Sequence, residues 1–489
     1  MLTIICAPSA LSPPTMSSSS QNVVPAEVID LIVDEIAKFS DDRMKKKTLA
    51  SLALVSWYCR SRAHGHLFSS LYILDYQNGR QRVQALLHLI EADPQSEESG
   101  IASYVRSLTI QLIGQTNKIR IPFDDGSLAR IFRKIFRKQN KGPFSLSLLC
   151  PPREGIVRKP FDWTTLNADF LSTFYDLLGN PSFDTLHLAH FGKLPRNLLH
   201  HSFIRNLKIE KLHLDDIDND EEIPEEVRFG LLEDEPGICM SDEGQAVPLE
   251  SIDTDHSVPL LYLIDKTSQK MLHPKFAFSR LNRLIVRITS AHNFVKTRWI
   301  FVNAASTLKR MDIILFTSDE LPEHEASELL LLPELQSISI IQNSTSYKFP
   351  GRSRIPQICR FMEHLTLHPN LKEVKISMFL YSHPDLASRT AAEIFNGHDL
   401  APFDQLFSRS NFNGLKRLII RFMFNLIPPR NGWDLRAFQE ACREHVRRFF
   451  ELSEASHAAL IVELQFDIRT IRFDYEQISV ADPFQLIFT

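Results

Sequence analysis

Histidine, cysteine and paired carboxylates are the side chains from which an active site would be built, and this chain carries them at spacings that build none. Its 18 histidines include no His-Glu-x-x-His run, which would set two imidazoles on one helical face for a zinc ion. His187 and His213 hold equivalent places in two apolar units of the sequence, which would set them side by side on neighbouring strands, but no third ligand accompanies them. Cys6, Cys59, Cys150, Cys239, Cys359 and Cys442 are scattered, with no Cys-x-x-Cys ligand or redox pair. The Gly-x-Ser-x-Gly nucleophile elbow and the phosphate-binding loop are missing too. Glycine, at 16 residues, is about half its usual ~7% share, too scarce for a chain full of tight active-site turns. The expectation is a protein that is not an enzyme and holds no cofactor and no metal. Charge is what remains. The stretch from Arg130 to Lys141 predicts a basic amphipathic helix, with Ile131, Phe132, Ile135 and Phe136 on one face. Arg130, Arg133, Lys134, Arg137 and Lys138 line the other. Such a helix can touch nucleic acid or an acidic membrane; a packed helix with a solvated basic face is the favoured reading.

The elements that position these residues come from composition and periodicity. A chain of 489 residues, 44% hydrophobic and 23% charged, can bury a large interior, as about three domains or one elongated array. Phenylalanine, at 34, far outnumbers the 9 tyrosines and 4 tryptophans, which suits apolar packing. No run approaches the ~18 apolar residues of a membrane span, so no membrane partner is expected. Leu2 to Ala7 is apolar but no basic residue precedes it, Pro13, Pro14 and Ser17 to Ser20 follow, and the first charge is Glu27. Residues 1–22 therefore read as a disordered leader, with Met16 an alternative start, and not as a signal peptide. Scattered single cysteines suit a reducing compartment, cytoplasmic or nuclear. The net charge of −4 hides an asymmetry. Between Asp215 and Asp255 stand 16 acidic residues and one basic, Arg228, leaving 43 acidic and 54 basic elsewhere. Residues 215–257 read as a disordered acidic insertion.

One pattern recurs: an apolar residue, two variable, an apolar residue, one variable, a third apolar residue. It runs through Val105/Leu108/Ile110, Phe183/Leu186/Leu188, Ile209/Leu212/Leu214, Leu281/Leu284/Val286 and Leu308/Met311/Ile313. It continues as Leu335/Ile338/Ile340, Leu371/Val374/Ile376, Leu415/Leu418/Ile420 and Ile461/Leu464/Phe466. Phe144, Leu146 and Leu148 alternate like a further strand. Leu284, Met311 and Ile338 are 27 residues apart, within the ~20–29 period of leucine-rich repeats. Amphipathic stretches at Phe294 to Ala305, Ala326 to Leu332, Ile355 to Leu367 and Leu435 to Leu452 each precede a strand. Helix, turn and strand alternate, and each unit can bury its apolar side only against its neighbours. The expected fold is an α/β solenoid with a parallel sheet over residues 71–489. A doubly wound sheet is the alternative, and no glycine-rich first turn supports it.

Ahead of the repeats, Val24 to Phe68 predicts two or three short helices. Pro25 opens the first, and Val28, Leu31, Ile32 and Ile36 form one apolar stripe. A polar break at Ser40 to Lys47 leads to a second stripe, Leu49, Leu52, Ala53 and Val55. The blocks Val24-Pro25-Ala26-Glu27-Val28-Ile29, Leu52-Ala53-Leu54-Val55-Ser56 and Arg62-Ala63-His64-Gly65-His66-Leu67-Phe68 resemble the F-box. In particular they are similar to the F-box of many fungal proteins, which carry a polar insert between the first two helices. Where that family usually has Trp three residues after the Ser, this chain has Cys59, and its tryptophan is Trp57. The rest resembles the irregular leucine-rich solenoids that often follow an F-box, without the Asn of the short consensus. The resemblance implies an all-helical F-box at 23–70 that docks on a Skp-type adaptor, and through it a cullin, by Pro25, Val28, Leu31, Ile32, Leu52 and Val55.

On the solenoid strands the residues beside the apolar triplets face the other way. They are Arg283, Ile285 and Arg287, then Arg310 and Asp312, Ser337 and Ser339, Glu373 and Lys375, and Arg417, Ile419 and Arg421. Arginine forks suit carboxylate or phosphate, so Arg283, Ile285, Arg287, Arg310, Arg417 and Arg421 are the candidate target-binding residues, for an acidic or phosphorylated protein segment. Arginines that merely neutralise Asp312 and Glu373 on nearby strands are the competing explanation. Together these features predict the substrate receptor of a ubiquitin ligase. The alternative is a non-catalytic repeat scaffold, or a nucleic-acid-binding protein, with the first helices as a cap.

Overall fold

A computed structural model describes residues 25–75, 79–91, 101–113, 116–137, 142–151, 160–195, 202–211, 249–255, 278–288, 304–315, 332–342, 355–365, 370–381, 400–409, 414–426, 460–471, 477–478 and 484–488, with a few isolated residues between. The chain divides into two compact units, Met1–Ser70 and Leu71–Thr489. The leader at 1–22, His213, the acidic stretch at 212–248 and most of three expected helices (294–305, 326–332 and 435–452) lie outside the described residues.

Among its described residues the first unit has three helices, α1 (Ala26–Ala37), α2 (Asp42–Val55) and α3 (Trp57–Phe68). Pro25 is the N-cap of α1, one position earlier than expected. The polar break is shorter than the sequence suggests. Asp41 accepts hydrogen bonds from the Arg43 and Met44 amides, which starts α2 at Asp42 and makes most of the lysine-rich stretch helical. Ser56 does the same for α3, accepting from the Cys59 amide at 3.1 Å. Val33, Leu49, Ala53 and Ala63 form the core, with Ile29, Ile36, Ala37, Leu52 and Leu67 packed around it. Only Ile36 of the expected α1 stripe joins that packing; Val28, Leu31 and Ile32 face outward.

The second unit is mixed α/β, built on an open sheet whose strands lie in chain order. They are β1 (Ser70–Asp75), β2 (Ser107–Leu112), β3 (Phe144–Leu149), β5 (Phe183–Ala189), β7 (Asn206–Glu210), β8 (Ser251–Thr254) and β9 (Arg283–Ile288). Then follow β10 (Arg310–Leu315), β11 (Ser337–Gln342), β12 (Glu373–Tyr381), β13 (Arg417–Leu426) and β14 (Ile461–Ile471). From β2 to β14 every pair is parallel. The edge is closed by β15 (Gln477–Ile478) and β16 (Phe484–Phe488), both antiparallel to β14. A small parallel pair, β4 (Phe161–Asp162) and β6 (Phe191–Gly192), stands apart. Described helices of this unit include α4 (Gly79–Glu91), α5 (Thr116–Asp124), α6 (Ser127–Ile135), α7 (Ala168–Leu178), α8 (Ile355–Leu365) and α9 (Ala401–Phe407).

Register explains the burial. Leu284, Met311, Ile338, Val374, Leu418 and Val462 pair strand to strand in one row, and none exceeds 1% exposure. Two residues on, Val286, Ile313, Ile340, Ile376, Ile420 and Leu464 form a second buried row. The phenylalanine surplus goes into this interior, for example Phe123 edge-on to Phe170 at 4.8 Å.

Three expectations are corrected here. Leu186 pairs with Leu207 and Leu188 with Ile209, so the unit is Ile204/Leu207/Ile209 and not Ile209/Leu212/Leu214. With that register His187 stands opposite Lys208, which removes the basis for pairing it with His213. At the far end Leu418 pairs with Val462 and Ile420 with Leu464, and Ile461 is exposed on the other face. The third correction is to the acidic insertion, which does not run to 257 without structure. Ser251–Thr254 is a strand between β7 and β9, with Leu249 and Ile252 fully buried.

Leu284 and Ile285 are chain neighbours on opposite faces. Leu284→Ala should cost about 2–5 kcal/mol of unfolding free energy, and Ile285→Ala much less, as read by urea denaturation. Equal losses would contradict the alternation.

Candidate functional site

Two surfaces carry residues that folding does not consume. On the helical unit, Asp34 of α1 ties down α3. Arg62 donates to it through Nε at 2.8 Å and Nη2 at 2.6 Å, and His66 Nε2 lies 2.8 Å from the same carboxylate. These hydrogen bonds hold the Asp34 carboxyl well below the usual range. With α1 fixed in that rotation, Val28, Leu31 and Ile32 stay outside, Leu31 at 63% exposure. At the α2–α3 junction Leu54, Val55, Trp57 and Tyr58 are also exposed, Leu54 at 81%. The adaptor candidates therefore divide. Pro25, Val28, Leu31, Ile32 and Val55 lie on the surface, whereas Leu52 packs against the core. Cys59 is buried. Leu54, Trp57 and Tyr58 were not singled out from sequence, because nothing in their spacing separates an outward from an inward apolar residue.

The second surface is the open face of the sheet, opposite the buried rows. Its charges are tied to each other across strands. Arg283 donates Nε and Nη2 to Asp312 Oδ2, at 3.3 and 3.0 Å, and Arg310 Nε lies 3.4 Å from the same oxygen. Arg417 donates to Glu463 at 2.6 Å and to Glu373 at 3.4 Å, and Glu463 is 1% exposed. Arg287 meets Asp253 through both forks, at 2.7 and 3.0 Å, and Glu210 at 3.1 Å. Arg421 and Ile285 are half-buried on this face. The arginines thus neutralise neighbouring strands, as the competing explanation had it, but unequally. Arg283 and Arg310 share one buried carboxylate and remain partly exposed; Arg417 faces two, and Arg287 is largely covered.

At β5, β7, β8 and β9 this face also gathers His187, Lys208, Glu210, Asp253 and Arg287. Burial, aided by Lys208 and Arg287, lowers the His187 imidazole to about 4. Burial pushes Asp253 up against the pull of Arg287 and Lys208. It pushes Glu210 up as well, but there Arg287 and Lys208 outweigh it and the net shift is downward. Among the described residues no group of three or more His, Cys, Asp or Glu side chains could hold a metal ion. Cys359 and Cys442 are buried thiols pushed up to about 12, unsuited to nucleophilic work. The basic helix is α6, shorter than expected. Ile131, Phe132 and Ile135 are buried, and Arg130 and Arg133 pair with Glu91 and Asp169. Among the described residues no helix is long and apolar enough to cross a membrane.

No family model matches this chain, and no curated protein matches it either. What the fold and surfaces define is therefore a class: a helical unit with an apolar outer face, and an open parallel α/β array with a charged one.

A depressed histidine makes stability depend on pH. The unfolded chain takes up a proton near 6.5 and the folded chain only near 4, so stability falls as pH drops through that window. His187→Gln should flatten this loss by on the order of 2 kcal/mol, read from urea unfolding across the window. An unchanged slope would mean that other groups set it.

Proposed function

We propose that the protein is a non-catalytic substrate receptor of a cullin-type ubiquitin ligase, working in the cytoplasm or nucleus. On this reading the helical unit is an F-box that docks on a Skp-type adaptor, and the α/β array is a leucine-rich-repeat-like solenoid that holds the target. The carrying observation is the apolar exterior of the helical unit. Its core is complete without Val28, Leu31, Ile32, Leu54, Val55 and Trp57, which are all exposed. A domain that needed only to cap a repeat array would present a polar outer face, and large apolar side chains left outside a finished core suit a surface that another protein covers. Strands that follow chain order, each burying its apolar side against the next, support the solenoid. Ligase function then needs no active site in this chain. Holding a target beside the transferring enzyme raises its local concentration, and that is the receptor's whole contribution.

The test is adaptor capture. Leu31→Lys combined with Ile32→Asp should abolish pull-down of a Skp-type adaptor, because each buried side chain of this size contributes about 1.5–3 kcal/mol. Both side chains lie outside the core, so circular dichroism of the variant should match the parent. A folded variant that still captures the adaptor at full strength, or a parent that never does, refutes the reading.

A further inference from the structure

The residue just before each strand forms a row of its own. Lys309 donates its amide to Asn282 at 3.0 Å, Gln336 to Lys309 at 2.8 Å, Lys372 to Gln336 at 2.8 Å, and Lys416 to Lys372 at 2.9 Å. Lys309, Lys372 and Lys416 are exposed, and among the described residues none has an ion pair. One residue further along the five strands stand Arg283, Arg310, Ser337, Glu373 and Arg417. At ~4.8 Å per strand, this edge runs roughly 20 Å from β9 to β13.

Six cations therefore share one edge, against Asp312, Glu373 and Glu463. Asp312 and Glu463 are buried beneath them. Arg280 and Glu334 stand in the turns before β9 and β11 and add one charge of each sign. At the carboxyl ends of β7 to β9 the carboxylates Glu210, Asp253 and Asp255 stand with Lys208, Lys211 and Arg287, so charge there is balanced. The edge where β9 to β13 begin is thus net basic.

We propose that the amino-terminal edge of strands β9 to β13 docks an extended, Asp- and Glu-rich segment of a partner protein. The segment lies across the strands over Lys309, Lys372 and Lys416, with the half-exposed forks of Arg283 and Arg310 as its anchors. The proposal rests on the receptor reading only in taking the bound segment for a target. Charge complementarity selects the occupant, and the residues between the cations agree with a peptide. Asn282, Gln336 and Ser337 are partly or fully exposed polar groups that can hydrogen-bond a peptide backbone. A single-stranded nucleic acid would want aromatic platforms for its bases. Among the described residues from 278 to 460, no large aromatic side chain is exposed.

The experiment is fluorescence anisotropy on the full chain at low salt. The probes are a labelled short Asp/Glu peptide, its Asn/Gln counterpart and a single-stranded oligonucleotide of equal length. The acidic peptide should bind, the neutral one should not, and added salt should weaken binding. Combining Lys309→Glu, Lys372→Glu and Lys416→Glu should reduce affinity at least about tenfold, as several screened charge contacts are lost. Reversing Arg43, Lys46 and Lys47 in the helical unit to Glu changes net charge equally and should leave the affinity unchanged. Equal loss in both variants, or equal binding of the neutral peptide, overturns the proposal. Tighter binding of the oligonucleotide assigns the edge to nucleic acid, and a tenfold gain on deleting 215–248 assigns it to the chain's own acidic stretch; both also overturn it. Adaptor capture is read separately: its loss in the parent sinks the receptor reading, while loss of peptide binding alone sinks only this proposal.

Discussion

Leu284, Met311, Ile338, Val374, Leu418 and Val462 stand side by side on six strands, and no one of these strands can bury its member alone. Each such side chain contributes about 1.5–3 kcal/mol when removed from water, an upper value because an unfolded chain already hides part of it. The requirement that the row be continuous sets the rest of the second unit. The strands that supply the row lie in chain order and run parallel. Because side chains alternate, the row also gives the entire opposite face to residues that the core does not need.

That opposite face is not idle. Glu463 at 1% exposure would be costly if unpaired, and Arg417 is what makes it tolerable. Arg287 does the same for Asp253. These arginines tie neighbouring strands together on the side away from the buried rows, beside the few apolar residues there, such as Ile419 and the pair Ile314 and Ile341. Arg283 and Arg310 differ because two guanidiniums share Asp312, which leaves charge and donors over. The same residue type at equivalent positions therefore acts as a tie in one place and as an open fork in another. The carboxylates on the adjacent strands decide which.

The alternation at Leu281/Leu284/Val286, Leu308/Met311/Ile313, Leu335/Ile338/Ile340 and Leu371/Val374/Ile376 was legible because burial leaves a spacing in the chain. Two units were misread where apolar residues are dense enough to fit two registers. Ile204, Leu207, Ile209, Leu212 and Leu214 satisfy the pattern twice, and only pairing with Leu186 and Leu188 decides. Strand β8 was hidden by its charges. Asp253 and Asp255 make the segment look solvated, yet the strand buries only the alternate residues Ile252 and Thr254, with Leu249 buried just ahead of it. The cations that compensate Asp253, namely Lys208 and Arg287, lie 45 residues before it and 34 after it in the chain. Distant compensation of that kind is invisible to local composition. In the helical unit the two faces of α1 are both apolar, so periodicity could not say that Val33 goes in and Leu31 stays out. The Asp34 link to Arg62 and His66 sets that rotation.

Both units leave one face open, but of opposite character. The helical unit exposes hydrocarbon, which rewards a partner that covers it durably and pays little heed to salt. The sheet unit exposes a net basic edge over a finished core, which speeds encounter and selects by sign more than it adds affinity. On the receptor reading this division has a mechanical use. The attachment to the ligase must outlast many targets, whereas each target must arrive quickly and leave after modification. An apolar dock and an electrostatic edge meet those two demands without any group in the chain having to react.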